Sequence, residues 1–262
     1  MPNSALQVAR TGLEAQDTRM RVIANNLANV GTTGFKRDRA NFATLAYQNE
    51  RVAGQQSSSE TTYATGLNLG TGVAVQSTSR IVTQGTMNNT GNALDLALDG
   101  EGYFQVELPG GQLGYTRAGN FTRSAQGELV TSQGYRVQPG ITIPEDAQTI
   151  TVGPDGTVSA TTAAGGGATE LGQIQTASFT NPAGLQATGD NFLLETGASG
   201  QAQLGAPGEA GRGGIRQGML EGSNVNVVEE LVDMIECQRA YEINSKMISA
   251  VDEMLKNANQ TI

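Results

Sequence analysis

Leu6, Leu13, Met20 and Leu27 recur every seven residues near the start of the chain. Ala9, Gln16, Ile23 and Val30 fill the second position of the same repeat, with Gln16 its one polar break. A stripe this narrow, with a period of about 3.5 residues, is the pattern of a helix that meets a partner along one seam; a helix packed on a globular core shows a broader apolar face. Residues 4–30 are therefore predicted to form one amphipathic helix about 40 Å long. Ser4 followed by Gln7 fits a capping box at its start, and Gly31 is placed to end it.

The other end of the chain mirrors this pattern. Asn226 is placed to cap a second helix, with Glu229 and Glu230 near the positive end of its dipole. Val228, Leu231, Val232 and Ile235 form its first apolar face, and Ile243, Met247, Ala250, Val251, Met254 and Ala258 continue it. Between Ile235 and Met247 the stripe advances by fours through Arg239 and Ile243. Such a shift locally unwinds a left-handed supercoil. Residues 1–43 are net basic and 225–262 net acidic, which favours pairing the two ends.

Between the helices the period changes to two. Leu94, Leu96 and Leu98 alternate with Asp95, Ala97 and Asp99; Gly100-Glu101-Gly102 turns the chain; Phe104, Val106 and Leu108 alternate again. Further short apolar runs follow, punctuated by glycines, which points to an all-β sandwich or barrel. The expected fold class is α+β, with long coiled-coil-type helices at both termini flanking an all-β central domain. The expected organisation is an assembly helix at 1–45, a linker or extended segment at 46–75, a β-rich domain at 76–196, a glycine-rich linker at 197–223 and a second assembly helix at 224–262. Within these, Gln48 to Thr62 is polar, serine-rich and without a period, and 197–218 should be irregular.

Composition narrows the function. With 37% hydrophobic residues, 5% aromatics and 35 glycines, the chain supports a modest core and long segments whose apolar partners lie in other chains. A net charge of −9 argues against nucleic-acid binding. The chain has no histidine, so the usual neutral-pH general base and the commonest metal ligand are missing. The single Cys237 has neither a disulfide partner nor a CxxC companion. No apolar run is long enough to span a bilayer, and Leu6 to Val30 is interrupted by charges, so neither membrane insertion nor a cleaved signal peptide is expected.

The stretch Ala24-Asn25-Asn26-Leu27-Ala28-Asn29-Val30-Gly31-Thr32-Thr33-Gly34-Phe35-Lys36 resembles the rod signature of a known family, the flagellar rod and hook axial proteins. Thr90 to Phe104 and Tyr115-Thr116-Arg117-Ala118-Gly119-Asn120-Phe121 resemble its β-domain motifs. Ser223 to Leu231 resembles the opening of its C-terminal helix, within which Gln238-Arg239-Ala240-Tyr241-Glu242 also matches. Residues 46–70 and Asn181-Pro182-Ala183-Gly184-Leu185 are similar to the distal-rod branch, in which the extra segment accompanies a straight, rigid tube. The chain has no room for the further outer domain of hook proteins.

The resemblance implies a structural subunit that self-assembles helically in many copies across the periplasm. It implies proximal rod proteins, the hook protein, flagellar ring proteins and the flagellar type III export apparatus as partners, and a place in the basal-body rod. It implies no cofactor. A proximal-rod or hook-type axial role is the nearest alternative, and a secreted β-rich carbohydrate-active enzyme is the alternative from another class.

The candidate subunit-interface residues are Leu6, Leu13, Met20, Ile23 and Leu27 on the first stripe and Val228, Leu231, Ile235, Ile243, Met247, Val251 and Met254 on the second. Asn25, Asn26 and Asn29 lie off the seam, where their amides could bond to neighbouring subunits. The plainer reading of the first stripe is a helix packed on its own β domain, and of the asparagines a fraying helix end. Asp95, Asp99 and Glu101 are expected on a solvated strand face and loop, since no complete calcium-loop pattern surrounds them. No catalytic or metal-ligating residue is assigned: Cys237 has no histidine partner, and neither a GxSxG nor a P-loop occurs.

Overall fold

The computed structural model describes residues 2–56, 63–162 and 167–260. The fold is α+β, with an N-terminal helix, a largely β middle and a C-terminal helix. Helix α1 (Pro2–Ala28) ends before Gly31, the expected terminator. The exit is made at Asn29, whose backbone and side-chain oxygens accept hydrogen bonds from the Thr32 N–H and hydroxyl, both at 3.1 Å. Helix α2 (Val227–Gln260) starts where the sequence places its cap. The Asn226 side-chain oxygen accepts the Val228 N–H at 3.1 Å, and Glu229 and Glu230 occupy the first turn.

Two compact units emerge. Among the described residues, one draws on α1 up to Leu27, on 38–79 and on α2; the other holds 28–37 and 80–225. In the first unit, the strand Asp38–Thr44 pairs with Val73–Arg80, and Tyr47–Arg51 pairs with Leu67–Gly70, placing Gln48 opposite Leu69. Every residue of this second pair is exposed. The segment Gln48 to Thr62, read as an aperiodic linker, thus begins in a paired strand; its portion at 57–62 lies outside the described residues.

In the second unit, the central sheet runs Gln186–Gly189, Phe192–Leu194, Leu113–Thr116, Tyr103–Glu107, Thr176–Ser178 and Gln203–Gly205. The strand Val137–Gln138 also pairs with Tyr103–Glu107. Alternation sorts its side chains. Phe104 and Val106 point into the main core with Leu96, Leu98, Phe121, Ile141, Ile174 and Ile215, while Tyr103 and Tyr115 pack with Ala177, Leu193 and Phe179 in a smaller cluster. The Phe104 and Phe121 rings meet edge to face at 5.1 Å. A three-stranded antiparallel sheet, Ala147–Val152, Thr157–Thr162 and Ala168–Gln173, lies in the same unit.

Two expectations are corrected here. The region 197–223, expected as a glycine-rich linker and irregular over 197–218, supplies three strands, of which Gln203–Gly205 joins the central sheet beside Thr176–Ser178. Gly214–Gln217 pairs with Leu96–Asp99 and Met219–Glu221 with Met87–Asn89, burying Ile215 and Glu221. Its glycines hid a short alternating pattern that the backbone ladder completes. Asp95, expected on a solvated strand face, is buried just before the strand Leu96–Asp99. Its carboxylate accepts hydrogen bonds from the Thr90 hydroxyl at 2.6 Å and the Asn92 amide at 3.0 Å. Those bonds close a turn and compensate its burial. Asp99 remains exposed and pairs with Arg216.

Candidate assembly surface and buried charge cluster

The two helices run antiparallel, as the order of their contacts shows. Gly12 lies against Asn244, Gln16 against Cys237, Arg19 against Asp233 and Asn26 against Glu230. A Cβ added at Gly12 would sit 3.2 Å from the Asn244 amide nitrogen, so the Asn244 side chain packs directly over this glycine. The fully buried Cys237 thiol donates to the Gln16 carbonyl at 3.1 Å, and burial pushes its pKa up, so it stays a protonated thiol. Arg19 donates to Asp233 at 3.0 Å and lies 3.7 Å from Glu236. Asn26 donates to Glu230 at 3.3 Å and to the Asp38 carbonyl at 2.9 Å, and accepts the Asp38 N–H at 3.0 Å.

On α1 the seam between the helices follows the second position of the repeat, Ala9, Gln16 and Ile23, more closely than the leucine position. On α1 the buried line passes through Ala9, Ala15, Ile23 and Asn26, while Leu6, Leu13, Met20 and Leu27 flank it half-buried. On α2 the inward line passes through buried Glu230 and Cys237 and half-buried Asn244 and Val251, one every seven residues. Val228, Leu231, Ile235, Ile243, Met247 and Met254 instead face outward, with exposures from 43% at Leu231 to 69% at Val228. Of the predicted α2 interface residues, only Val251 lies on the inward line. Apolar periodicity picks out the outward residues and passes over the inward line, because that line is built from Glu, Cys and Asn as well as Val. The equal spacing of Glu230, Cys237, Asn244 and Val251 was the available signal.

Asn26 departs from its expected lateral role, because it is buried and bonded within the chain. Asn25 is exposed, and Asn29 is half-buried against Thr32. Beside the seam lies an open groove of about 510 Å³ lined by Leu13, Asp17, Tyr241 and Ile248, among others.

Inside the second unit is a charge cluster with no forerunner in the sequence reading. The fully buried Glu221 carboxylate accepts from Lys36 Nζ at 2.6 Å, Arg117 Nε at 2.8 Å and the Gly85 N–H at 3.0 Å. Arg117 Nη1 also donates to the Gly100 and Gly102 carbonyls at 2.7 and 2.8 Å, and Lys36 Nζ to the Thr83 carbonyl at 2.8 Å. Burial raises the Glu221 pKa, but the Arg117 charge and the hydrogen bonds from Arg117, Lys36 and Gly85 outweigh it and hold the group below its ordinary value. For Lys36 the balance is opposite in weight: burial lowers its pKa, and Glu221 offsets this only in part.

Gly34 fits close by. Its N–H donates to the Glu221 carbonyl at 2.7 Å. Its φ of +68° and the Arg117 backbone 2.6 Å from any added Cβ leave room only for glycine. Lys36 and Arg117 each sit in a stretch singled out by resemblance, but nothing in their local pattern marks them as partners of Glu221.

Among the described residues, no group of three or more acidic, Cys or His side chains is arranged to hold a metal ion, and no helix is long and apolar enough to cross a membrane.

Three family models match the chain: the flagella basal body rod protein model at residues 6–36, the flagellar hook protein FlgE/F/G D1 domain at 97–160, and the flagellar basal body rod FlgEFG protein C-terminal model at 216–261. The chain is 49% identical over 257 residues to the flagellar basal-body rod protein FlgG of Caulobacter vibrioides, covering 98% of each. It is 38% identical to FlgG of Bacillus subtilis, covering 94% of each, and 37% identical to FlgF of Caulobacter vibrioides, again covering 94% of each. With matches at both termini and in the β domain, and with such full-length likeness, the chain belongs to the flagellar basal-body rod protein family.

Proposed function

We propose that this chain is a structural subunit of the distal rod of the bacterial flagellum and not an enzyme. It self-assembles helically into the rigid shaft between proximal rod and hook. The carrying observation is the outward stripe of α2. Val228, Leu231, Ile235, Ile243, Met247 and Met254 stay exposed although α1 already fills the other seam, so a further partner is needed to cover them. A second copy supplies that partner, with Leu6, Leu13, Met20, Leu27 and the groove beside Tyr241 as the receiving side. The heptad line through Glu230, Cys237, Asn244 and Val251 supports coiled-coil pairing of the termini. The exposed hairpin of Tyr47–Arg51 and Leu67–Gly70 supports a second contact between copies, since a lone two-stranded ribbon is marginal in water.

The distal assignment rests on likeness to FlgG proteins, with a FlgF-type proximal subunit as the second reading. Proximal rod proteins, the hook protein and ring proteins are the expected neighbours, and type III export is the expected route to the periplasm. Electron microscopy of basal bodies from cells lacking the gene tests the whole reading. A rod that stops short, with no hook, is expected. An intact rod and hook would reject it.

A further inference from the structure

The charge cluster of the second unit borders a cavity of about 270 Å³, with Lys36 and Arg117 at its polar side and Val82, Tyr103, Phe179 and Pro182 among its walls. A guanidinium has five N–H donors and an ammonium three. Arg117 uses Nε on Glu221 and both Nη1 donors on the Gly100 and Gly102 carbonyls. Lys36 uses two donors, on Glu221 and on the Thr83 carbonyl. Among the described residues, this leaves Arg117 Nη2 and one Lys36 donor without an acceptor, on two side chains only 7% and 5% exposed. The charges are equally unbalanced: two buried cations face the single carboxylate of Glu221. Arg117 Nη2 is not sealed from solvent, so its acceptor is a water in the cavity or a ligand that takes the water's place.

We propose that this cavity is a socket for a carboxylate carried on a short apolar stem. One oxygen would accept from Arg117 Nη2 and the other from Lys36 Nζ, while the stem lies against Tyr103, Phe179 and Pro182. A monoanion matches the surplus positive charge of the buried groups, the further carboxylate of the lining, Glu101, being exposed to solvent. A dianion such as phosphate would carry a second charge between the aromatic walls and the Glu101 carboxylate, with no further cation of the lining to meet it. Two sources carry this chemistry: an Asp or Glu side chain of a second copy, or a free small carboxylate. Only the first depends on the assembly reading.

The test uses the full chain, dilute and monomeric, titrated with propionate and, separately, with the isosteric propionamide. The Arg117 Nε–H resonance is followed by NMR. Propionate is expected to shift it saturably, with a dissociation constant of about millimolar for so small a ligand, and propionamide to leave it in place. No saturable shift, or an equal response to the amide, overturns the socket. Ser178→Trp, which places an indole in the cavity, is expected to weaken propionate binding about tenfold or more, since a charge-assisted contact to Arg117 and Lys36 is blocked. Undiminished binding by a folded Ser178→Trp chain would also overturn it; if that variant does not fold, the comparison of the two ligands decides alone.

The source is read from polymerisation. Slowing by propionate beyond that caused by chloride at equal ionic strength identifies a second copy as donor. Unchanged polymerisation with propionate bound identifies a free carboxylate, and the socket stands in both cases. A chain that never polymerises sinks the assembly reading and leaves the binding result untouched.

Discussion

Glu221 holds the two buried cations of the second unit, Lys36 and Arg117. It joins Lys36, Arg117 and Gly85 through side-chain contacts and Gly34 through its carbonyl. Glu221→Gln should cost about 3–5 kcal/mol, because it leaves two buried cations without a counter-charge. A chemical-denaturation midpoint for the second unit would read this, and a loss under 1 kcal/mol, typical of an exposed pair, would show the cluster to be solvated. The pH dependence has a definite sign. The folded pKa of Glu221 lies below its ordinary value of 4.5, so its contribution is present above that pH and is lost as pH falls through the folded pKa. The wild-type chain should therefore lose stability on acidification below about pH 4.5 more steeply than Glu221→Gln. Parallel curves for the two proteins would contradict this. None of it was legible in the sequence: residues 36, 117 and 221 come together only because three distant segments enter one unit. Asn226, by contrast, was legible as a cap, because capping depends on neighbours two and four residues away.

At the scale of elements, the helices carry two stripes with different tasks. Ile243→Asp alters the outward stripe of α2, where the side chain is 62% exposed. The monomer's stability should change by no more than about 0.5 kcal/mol, as for other exposed positions, while polymerisation is abolished by a charge placed in the buried contact between copies. Normal polymer from this variant, seen by sedimentation, would remove the outward stripe from the assembly surface. Gly12→Leu acts on the inward seam, where Asn244 leaves no room. It should destabilise the helix pair by about 1–3 kcal/mol through overpacking, measurable as a lower helical melting temperature. Periodicity revealed both helices and most of the outward residues, because helix formation and amphipathicity are local. It did not reveal the inward line of α2, because Glu230, Cys237 and Asn244 are polar or small. Their places in the seam depend on Asn26, Gln16 and Gly12 of the other helix.

At the scale of the whole molecule, the two units differ in what holds them. The second is built around an apolar core containing Phe104, Ile141 and Ile174, whereas the helix pair of the first is joined largely by polar and small side chains. Amides of dilute monomer should exchange slowest at Phe104 and Ile174 and much faster at Leu13 and Met247, since the helices have few buried apolar contacts to protect them. Equal protection at all four positions would show that the helix pair needs no second copy. Order along the chain was readable in advance: helix, β region, helix, with the change from a seven-residue repeat to strict alternation near Leu94. That much depends on spacing between near neighbours, which the amino-acid order itself dictates. The rest was decided by tertiary structure. The glycine-rich stretch before α2 became strands by pairing with Thr176–Ser178, Leu96–Asp99 and Met87–Asn89. Asp95 was buried by a turn, and Lys36 met Glu221 across 185 positions of chain. Such contacts join residues far apart in sequence, and no local period records them.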